Sequence, residues 1–382
     1  MTYKPVTHMD VYLDNIVHNY NAVKEHVTPA DVFPVVKGNA YGHGAVAVSR
    51  ALSEAGARLF AVATVEETVE LRRAGIKHDI LVMSASLPEE IRYLADLGAS
   101  CFVSDMSRLR QIEALGAPVG FHIKVDSGMG RYGFLPDEAV LVRDEISRMK
   151  HARLLGIATH FGIPWEEHPL TELQYARFMQ FVETLNPCSS VLLHAAASGI
   201  AMRKPEMALS GVRCGAILYG LSRIQSEKPK LLPGMRYVTR IAQTKMLPKG
   251  WYVGYGTDCI LDAAIHAAII PVGAIDGLVL PMAKRGYVLV KGARARVLAV
   301  SMDSSVIDVT HVESALPGDE VVICGSQADD EITPVELMVD FAQAMFGAYM
   351  GQVSFRVPRL YYHRGQCVGK QSVGGAEGVA TL

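Results

Sequence analysis

Along the first 220 residues, short apolar runs alternate with longer amphipathic stretches. The runs are Val32–Val36, Leu59–Thr64, Ile80–Met83, Cys101–Val103, Val119–Val125, Leu154–Thr159, Val191–His194 and Leu209–Arg213. Between them Ala45–Ala55, Val65–Ala74, Pro136–Met149 and Leu170–Leu185 repeat apolar residues three and four apart, the period of a helix with one buried face. Strand, helix, strand repeated in this way predicts a parallel sheet with helical crossovers. Eight strands in about 180 residues is the number a (β/α)8 TIM-like barrel needs, although a doubly wound open sheet has the same period. After Tyr219–Gly220 the texture changes. Val238–Met246, Trp251–Tyr255, Ala267–Val272, Gly286–Val290, Arg294–Val300, Ser305–Val309 and Val321–Cys324 are short, mostly β-branched, and separated by Gly, Pro or Asp. They predict a mainly β second domain with one helical insert, Pro334–Phe346, capped by Thr333. The expected division is residues 1–225, 226–369 and a mobile tail 370–382, with a linker over Ser222–Pro233.

Composition narrows the class of protein. Half of the 382 residues are hydrophobic and a fifth are charged, which supports a large core and excludes a disordered or collagen-like chain. Thirty-seven Lys and Arg against thirty-nine Asp and Glu leave a net charge of −2, with no basic excess to engage nucleic acid. The longest apolar stretch, Ala263–Ile275, is broken by His266 and is too short to span a bilayer. The opening MTYKPVTHMDVYL has no basic-then-apolar leader. Six cysteines without a CxxC pair fit reduced thiols. Thirteen histidines show no HExxH or His/Cys ligand spacing, so no metal site is expected. Together these features predict a cytoplasmic enzyme.

Polar residues closing the apolar runs carry the candidate chemistry, because a barrel places its reactive groups at the C-terminal ends of its strands. In FPVVKGNAYGHG (Phe33–Gly44) a strand ends on Lys37 and breaks into a glycine-rich loop. A lysine after a strand is commonly a plain surface residue, but Tyr41, Gly42, His43 and Gly44 look built for close approach to a ligand. Desolvation there would free the amine for a Schiff base with an aldehyde. KVDSGMGRYGF (Lys124–Phe134) repeats the design, with Arg131 offering a planar fork to an anion or pairing with a nearby acid. THFG, HAAAS and GVRCGAILYG end further strands on His160, His194 and Arg213, each more often a satisfied buried residue than a catalyst. Ser198 and the amides near Gly215 could cradle a phosphate.

VVKGNAYGHG, KVDSGMGRYGF, THF, HAAAS, RCGAILYGL, VGYG, SMD and FRVPR occur in the order in which the alanine racemase family carries its motifs, from Lys37 to Arg359. The chain closely resembles that family, which implies a barrel plus β domain, pyridoxal 5'-phosphate (PLP) as cofactor, an amino-acid substrate and a head-to-tail homodimer with shared active sites. Lys37 resembles the lysine that holds PLP and acts as base on one face. Tyr255 resembles the tyrosine of the partner subunit that acts on the other. Arg213 resembles the arginine at the pyridine nitrogen, hydrogen-bonded by His160, with Arg131 near the cofactor oxygen. Tyr41, Ser198, Gly215 and Ala216 would hold the phosphate, and Met302 and Asp303, with Arg131, the substrate carboxylate. Lys124 matches a lysine that some members carbamylate.

Three positions depart from the family pattern. Ala197 stands where Asn usually precedes the serine. Phe355 replaces a phosphate-binding tyrosine, whose role Tyr361 or water could take. Ala274 in GAIDG replaces a tyrosine that narrows the substrate entrance. The reading is alanine racemisation by two bases. Its rivals are a racemase or epimerase of a larger amino acid, favoured by Ala274, a related decarboxylase, and a non-catalytic PLP-binding protein. The Arg213 position and Tyr255 in its GYG setting resemble racemases rather than the decarboxylase, and retention of Tyr255 argues against mere binding, which needs no acid on the second face.

Overall fold

The computed structural model describes residues 4–224, 229–255, 259–344, 349–372 and 375–377. The chain divides into two compact units, one of residues 17–40 and 48–231, the other of residues 1–16, 41–47 and 232–382. The expected boundary at 225/226 lies outside the described residues, and the division falls at Leu231/Leu232.

The first unit carries eight parallel strands: β2 (Asp31–Pro34), β3 (Leu59–Val62), β4 (Asp79–Ala85), β5 (Ser100–Val103), β6 (Gly120–Lys124), β7 (Arg153–Ala158), β8 (Leu192–His194) and β9 (Gly211–Cys214). β3 to β8 form one continuous parallel sheet and β2 pairs with β9. The bridges Val35↔Ala61 and Ala197↔Arg213 join the two pieces at both edges and close the barrel, so the open-sheet alternative is excluded. Each apolar run of the sequence becomes one of these strands, because strands buried on both faces leave uninterrupted apolar signatures. The helices Ala45–Glu54, Val65–Arg73, Ala139–Ile146 and Pro169–Leu185 connect them. Inside, Phe33, Leu59, Leu81, Phe102 and Ala158 pack together. His122 also fills this interior. A Cβ built on Gly156 would come within 2.2 Å of its Nδ1, so the neighbouring strand needs glycine there.

The second unit is built on one large sheet. Its pairs include β10 (Met235–Arg240) with β16 (Glu320–Gln327), and β14 (Ala293–Val300) with β15 (Ser305–Asp308). β1 (His8–Tyr12) joins it too, antiparallel to β10 and parallel to β18 (Arg359–His363). Val238–Met246, one run in the sequence, becomes two strands, β10 and β11 (Gln243–Leu247), parted where Ile241 and Ala242 bond to Asp319 and Ile269. Trp251–Tyr255 forms no strand and contributes a single bridge, Tyr252↔Ile260. Thr333 does cap the helical insert, its Oγ1 accepting from Glu336 N at 3.1 Å, and the segment Glu336–Phe341 winds as a π-helix. Residues Met345 and Phe346 of that expected helix lie outside the described residues. The tail expected from Lys370 onward begins inside β19 (Gln366–Ser372), which pairs with β20 (Gly375–Glu377). No described helix is long and apolar enough to cross a membrane.

Candidate active site

The ends of the barrel strands bring Lys37, Lys124, Arg131, His160 and Arg213 into electrostatic reach of one another. Arg213, on β9, is buried and its guanidinium is held by neutral acceptors. Nη1 donates to His194 Nδ1 at 2.8 Å and to the His194 carbonyl. Nη2 donates to the carbonyls of Thr159 at 2.6 Å and Ala195 at 3.2 Å. Burial lowers its pKa to about 10, opposed by the nearby Tyr132 and Cys214, so it remains charged at neutral pH.

A guanidinium has no acceptor, so His194 Nδ1 must accept and its Nε2 must carry the proton. Nε2 in turn lies 2.9 Å from His122 Nδ1, which fixes the second tautomer as well. The His122 Nε2–H that results has no hydrogen-bond partner among the described residues. Burial, with the charge of Arg213, pushes His122 down to about 3, and the same causes hold His194 well below its ordinary value. Two neutral imidazoles therefore anchor the buried cation without sharing its charge. His160, assigned to Arg213 by resemblance, makes no such bond here. It is the preceding residue, Thr159, that reaches the guanidinium with its carbonyl. His160 is half-buried and held neutral by burial and by the charges of Arg213, Arg131, Lys124 and Lys37.

Lys37 keeps accessible surface, yet the protein around its ammonium strips enough water to lower its pKa, helped by Arg131 and Arg213 and opposed by Glu67. Gly38, Asn39, Ala40 and Tyr41 follow it at φ of 62°, 54°, 53° and 53°, one turn of left-handed helix. Such a turn costs roughly 1–2 kcal/mol for each non-glycine residue and persists only where neighbours hold it. Ala40 N donates to Val36 O at 2.8 Å, and Gly38 N to Glu67 Oε1 at 2.6 Å.

The loop presenting Arg131 is held in a comparable way. Asp126 Oδ1 accepts from the amides of Gly128, Met129 and Gly130, and Oδ2 from Arg131 N at 2.8 Å. Those amides outweigh the effect of burial and keep the carboxyl below the usual range. Lys124 Nζ donates to Val125 O at 2.7 Å, and burial with the charges of Arg213 and Arg131 takes it down to about 7. Tyr132, which the sequence reading passed over, lies between cations. Its ring centre is 5.7 Å from Lys124 Nζ and 5.2 Å from the Arg131 guanidinium carbon, and its hydroxyl donates to Met83 O. Ser198 is buried and its Oγ accepts from Gly215 N at 3.1 Å, which leaves the Ser198 proton free to donate. Ala216 opens the short turn Ala216–Tyr219, where the first amides lack intrahelical acceptors.

Tyr41, Tyr255, Met302 and Asp303 belong to the other unit. Tyr255 is 83% exposed and Met302 68% exposed, and Asp303 is exposed as well. The GAIDG turn packs on SMD: Ala274 N donates to Ser301 O and Ile275 N to Met302 O, while a Cβ on Gly273 would meet Asp303 N at 2.4 Å. Ala274 is exposed, and Asp276 behind it is buried and paired with Arg356 at 2.7 Å. Two expectations change here. The glycines of YGHG make room for protein rather than for a ligand, since a Cβ on Gly42 would meet Met350 O at 2.0 Å and one on Gly44 the Tyr361 hydroxyl at 1.8 Å. The Tyr361 hydroxyl is buried and donates to Gln371 Oε1 at 2.8 Å, so it is not available to replace the one that Phe355 lacks. Phe355 is half-exposed, with its ring 5.5 Å from the buried Arg359 guanidinium.

The chain matches two family models, the alanine racemase N-terminal domain over residues 11–223 and the alanine racemase C-terminal domain over residues 234–361. An alanine racemase of Carboxydothermus hydrogenoformans is 35% identical over 363 residues, 92% of this chain and 98% of that one. Among solved structures, the alanine racemase of Bacillus anthracis with bound L-Ala-P superposes with a TM-score of 0.90 at 29% identity, covering 97% of this chain and 99% of that one. The histidine racemase of Leuconostoc mesenteroides subsp. sake superposes at 0.83 with 25% identity, covering 95% and 99%.

Proposed function

The chain belongs to the alanine racemase family, and from that premise we propose that it interconverts L- and D-alanine in the cytoplasm as a PLP-dependent head-to-tail homodimer. Lys37 serves one face of the substrate and Tyr255 of the partner subunit the other. The observation that carries this reading is the strand-end cluster of Lys37, Lys124, Arg131 and Arg213, whose nearby carboxylates, Glu67 and Asp126, are both engaged by backbone amides.

The residues present fit the cofactor. A concentration of positive charge suits a phosphate and a carboxylate, and Ser198, Gly215 and Ala216 supply hydroxyl and amide donors beside it. Tyr41 is assigned to the same phosphate. Arg213 would hold the ring nitrogen, and Lys37 would hold the cofactor through its amine. When bound, PLP supplies electron withdrawal that acidifies the Cα–H of an amino acid joined to it. Lys37, with its pKa lowered by burial and by Arg131 and Arg213, takes or returns that proton on one face at neutral pH. The Tyr255 phenol delivers or removes a proton on the opposite face, and the two exchange roles when the reaction reverses. Arg213 carries its charge already and gives no proton to the ring nitrogen. That limits electron withdrawal and favours return of the proton over competing outcomes. Arg131 and the partner subunit's Met302 and Asp303 receive the substrate carboxylate, and His160 lines the site as a neutral imidazole.

A second reading, a racemase for larger amino acids, is favoured by one observation. Ala274 is exposed on a turn fastened to Ser301 and Met302, and it leaves space where a larger side chain would project. One experiment separates the two. The holoenzyme is incubated with single L-amino acids in deuterated water, and Cα deuteration and chirality are read together. Alanine is expected to gain deuterium and lose chirality, ahead of bulkier residues. Faster racemisation of bulkier residues would transfer the reading to the second. Deuteration with full retention of chirality would remove Tyr255 from its role, and no exchange in protein shown to hold PLP would overturn the reading.

A further inference from the structure

Glu67 stands on the first turn of the helix Val65–Arg73, where a glutamate closes a capping box with Thr64. A capping box needs its carboxylate only for the helix start. Here the two oxygens point to different elements. Oε2 accepts from Ala63 N at 2.6 Å and Thr64 N at 3.3 Å, at the end of β3. Oε1 accepts from Gly38 N at 2.6 Å, the amide directly after Lys37 and the entry to the left-handed turn.

We propose that Glu67 is a positioning residue for Lys37: its carboxylate ties the Lys37 turn to the end of β3 and sets the direction and local charge of the Lys37 amine. The inference rests on the role given to Lys37 above. Gly38 adopts the left-handed conformation freely and Asn39 tolerates it, but Ala40 and Tyr41 do not favour it, so the turn depends on what grips its ends. Glu67 grips the end from which the Lys37 side chain departs. The charged groups acting on the amine are Arg131 and Arg213, which favour its neutral form, and Glu67, which opposes them, while His160 nearby is neutral. Glu67 therefore adjusts the amine by geometry and by charge together.

The two contributions separate by substitution. Glu67→Gln keeps the length, loses the charge and can accept through only one atom. Glu67→Asp keeps the charge and is too short to reach both elements. The first measurement uses apo-protein, so it does not depend on turnover. Lys37 is acetylated competitively across a pH series and quantified by peptide mass spectrometry. Loss of the Glu67 charge is expected to move the Lys37 midpoint down by about one unit, giving roughly tenfold faster labelling at a fixed pH below the midpoint. Glu67→Asp should move it by less than half as much. In holoenzyme both variants should lower kcat by about tenfold or more with KM within about twofold, because misdirecting a reacting group costs rate rather than binding. An unchanged Lys37 midpoint in folded Glu67→Gln, or a kcat equal to wild type in folded Glu67→Asp, would overturn the proposal and leave Glu67 a helix cap. Should Glu67→Gln fail to fold, the kcat of Glu67→Asp alone decides. The labelling result stands even if the chain proves not to be a racemase, so failure of the functional reading is distinguishable from failure of this one.

Discussion

The candidate residues of the barrel and those of the β unit are held in opposite ways. At the barrel strand ends the polar groups are fastened from within. Arg213 has four acceptors, Asp126 four amides, and Glu67 three. Tyr255 and Met302 instead stand far out in solvent, on a unit that also exposes Trp251, Tyr252, Ile260, Leu280 and Phe355. The barrel unit exposes large apolar residues too, among them Tyr93, Leu135 and Leu141, so the contrast lies in how the candidate residues are fastened rather than in exposed apolar surface. The barrel candidates are preorganised within their own unit, whereas Tyr255 and Met302 are not fastened by comparable side-chain bonds among the described residues, as the proposed sharing of sites between two copies requires. Arg213 is held wholly within the barrel unit, as the buried Arg359 is held by carbonyls within the other.

The contrast predicts its own largest effect. Arg213→Ala leaves His194 Nδ1 and three carbonyls without a donor in a closed interior, and should cost roughly 3 kcal/mol of stability as well as activity. Tyr255→Phe should leave urea denaturation within about 0.5 kcal/mol of wild type while lowering racemisation about 10²–10⁴-fold. Equal destabilisation by the two would erase the distinction. A finer test lies in pH. His122 stays neutral in the folded chain down to about pH 3, whereas in the unfolded chain it protonates below about 6.5. Below that pH the unfolded state binds more protons, so stability is fully present above about 6.5 and falls as pH drops towards 3. Between pH 7 and pH 5 wild type should therefore lose about 2 kcal/mol more than His122→Gln, measured by urea midpoints. Parallel losses would mean that the imidazole pair is not held neutral.

What could be read from the sequence follows the same division. The eight barrel strands were legible because burial on both faces writes a continuous apolar run. β1 was not, since it finds both its partners, β10 and β18, across hundreds of residues and nothing local marks the pairing. Trp251–Tyr255 read as a strand on its aromatic and β-branched content, yet it forms one bridge, because its large side chains face solvent instead of a neighbouring strand. Within the site, Lys37 and Arg213 stood out as single charges closing apolar runs. Glu67 and Asp126 did not, because they bind backbone amides, and amides carry no signature in sequence. His122 left one faint signal, a polar residue in the middle of an apolar strand, and its partner His194 was visible only as a strand end. The family resemblance named the residues proposed to meet the cofactor and passed over Glu67, Asp126 and His122, which hold them or their neighbours.

The most direct test mixes two inactive proteins. Lys37→Ala and Tyr255→Phe are combined at equal concentration, and racemisation is followed in both directions after subunit exchange has been confirmed by mass. If each site takes its lysine from one subunit and its tyrosine from the other, half of the dimers are mixed and each of those holds one intact site. Activity should then rise from the level of the parents to about a quarter of wild type. Activity that stays at the parental level after exchange would place both groups on one chain and contradict the division between a barrel half and a β half drawn here.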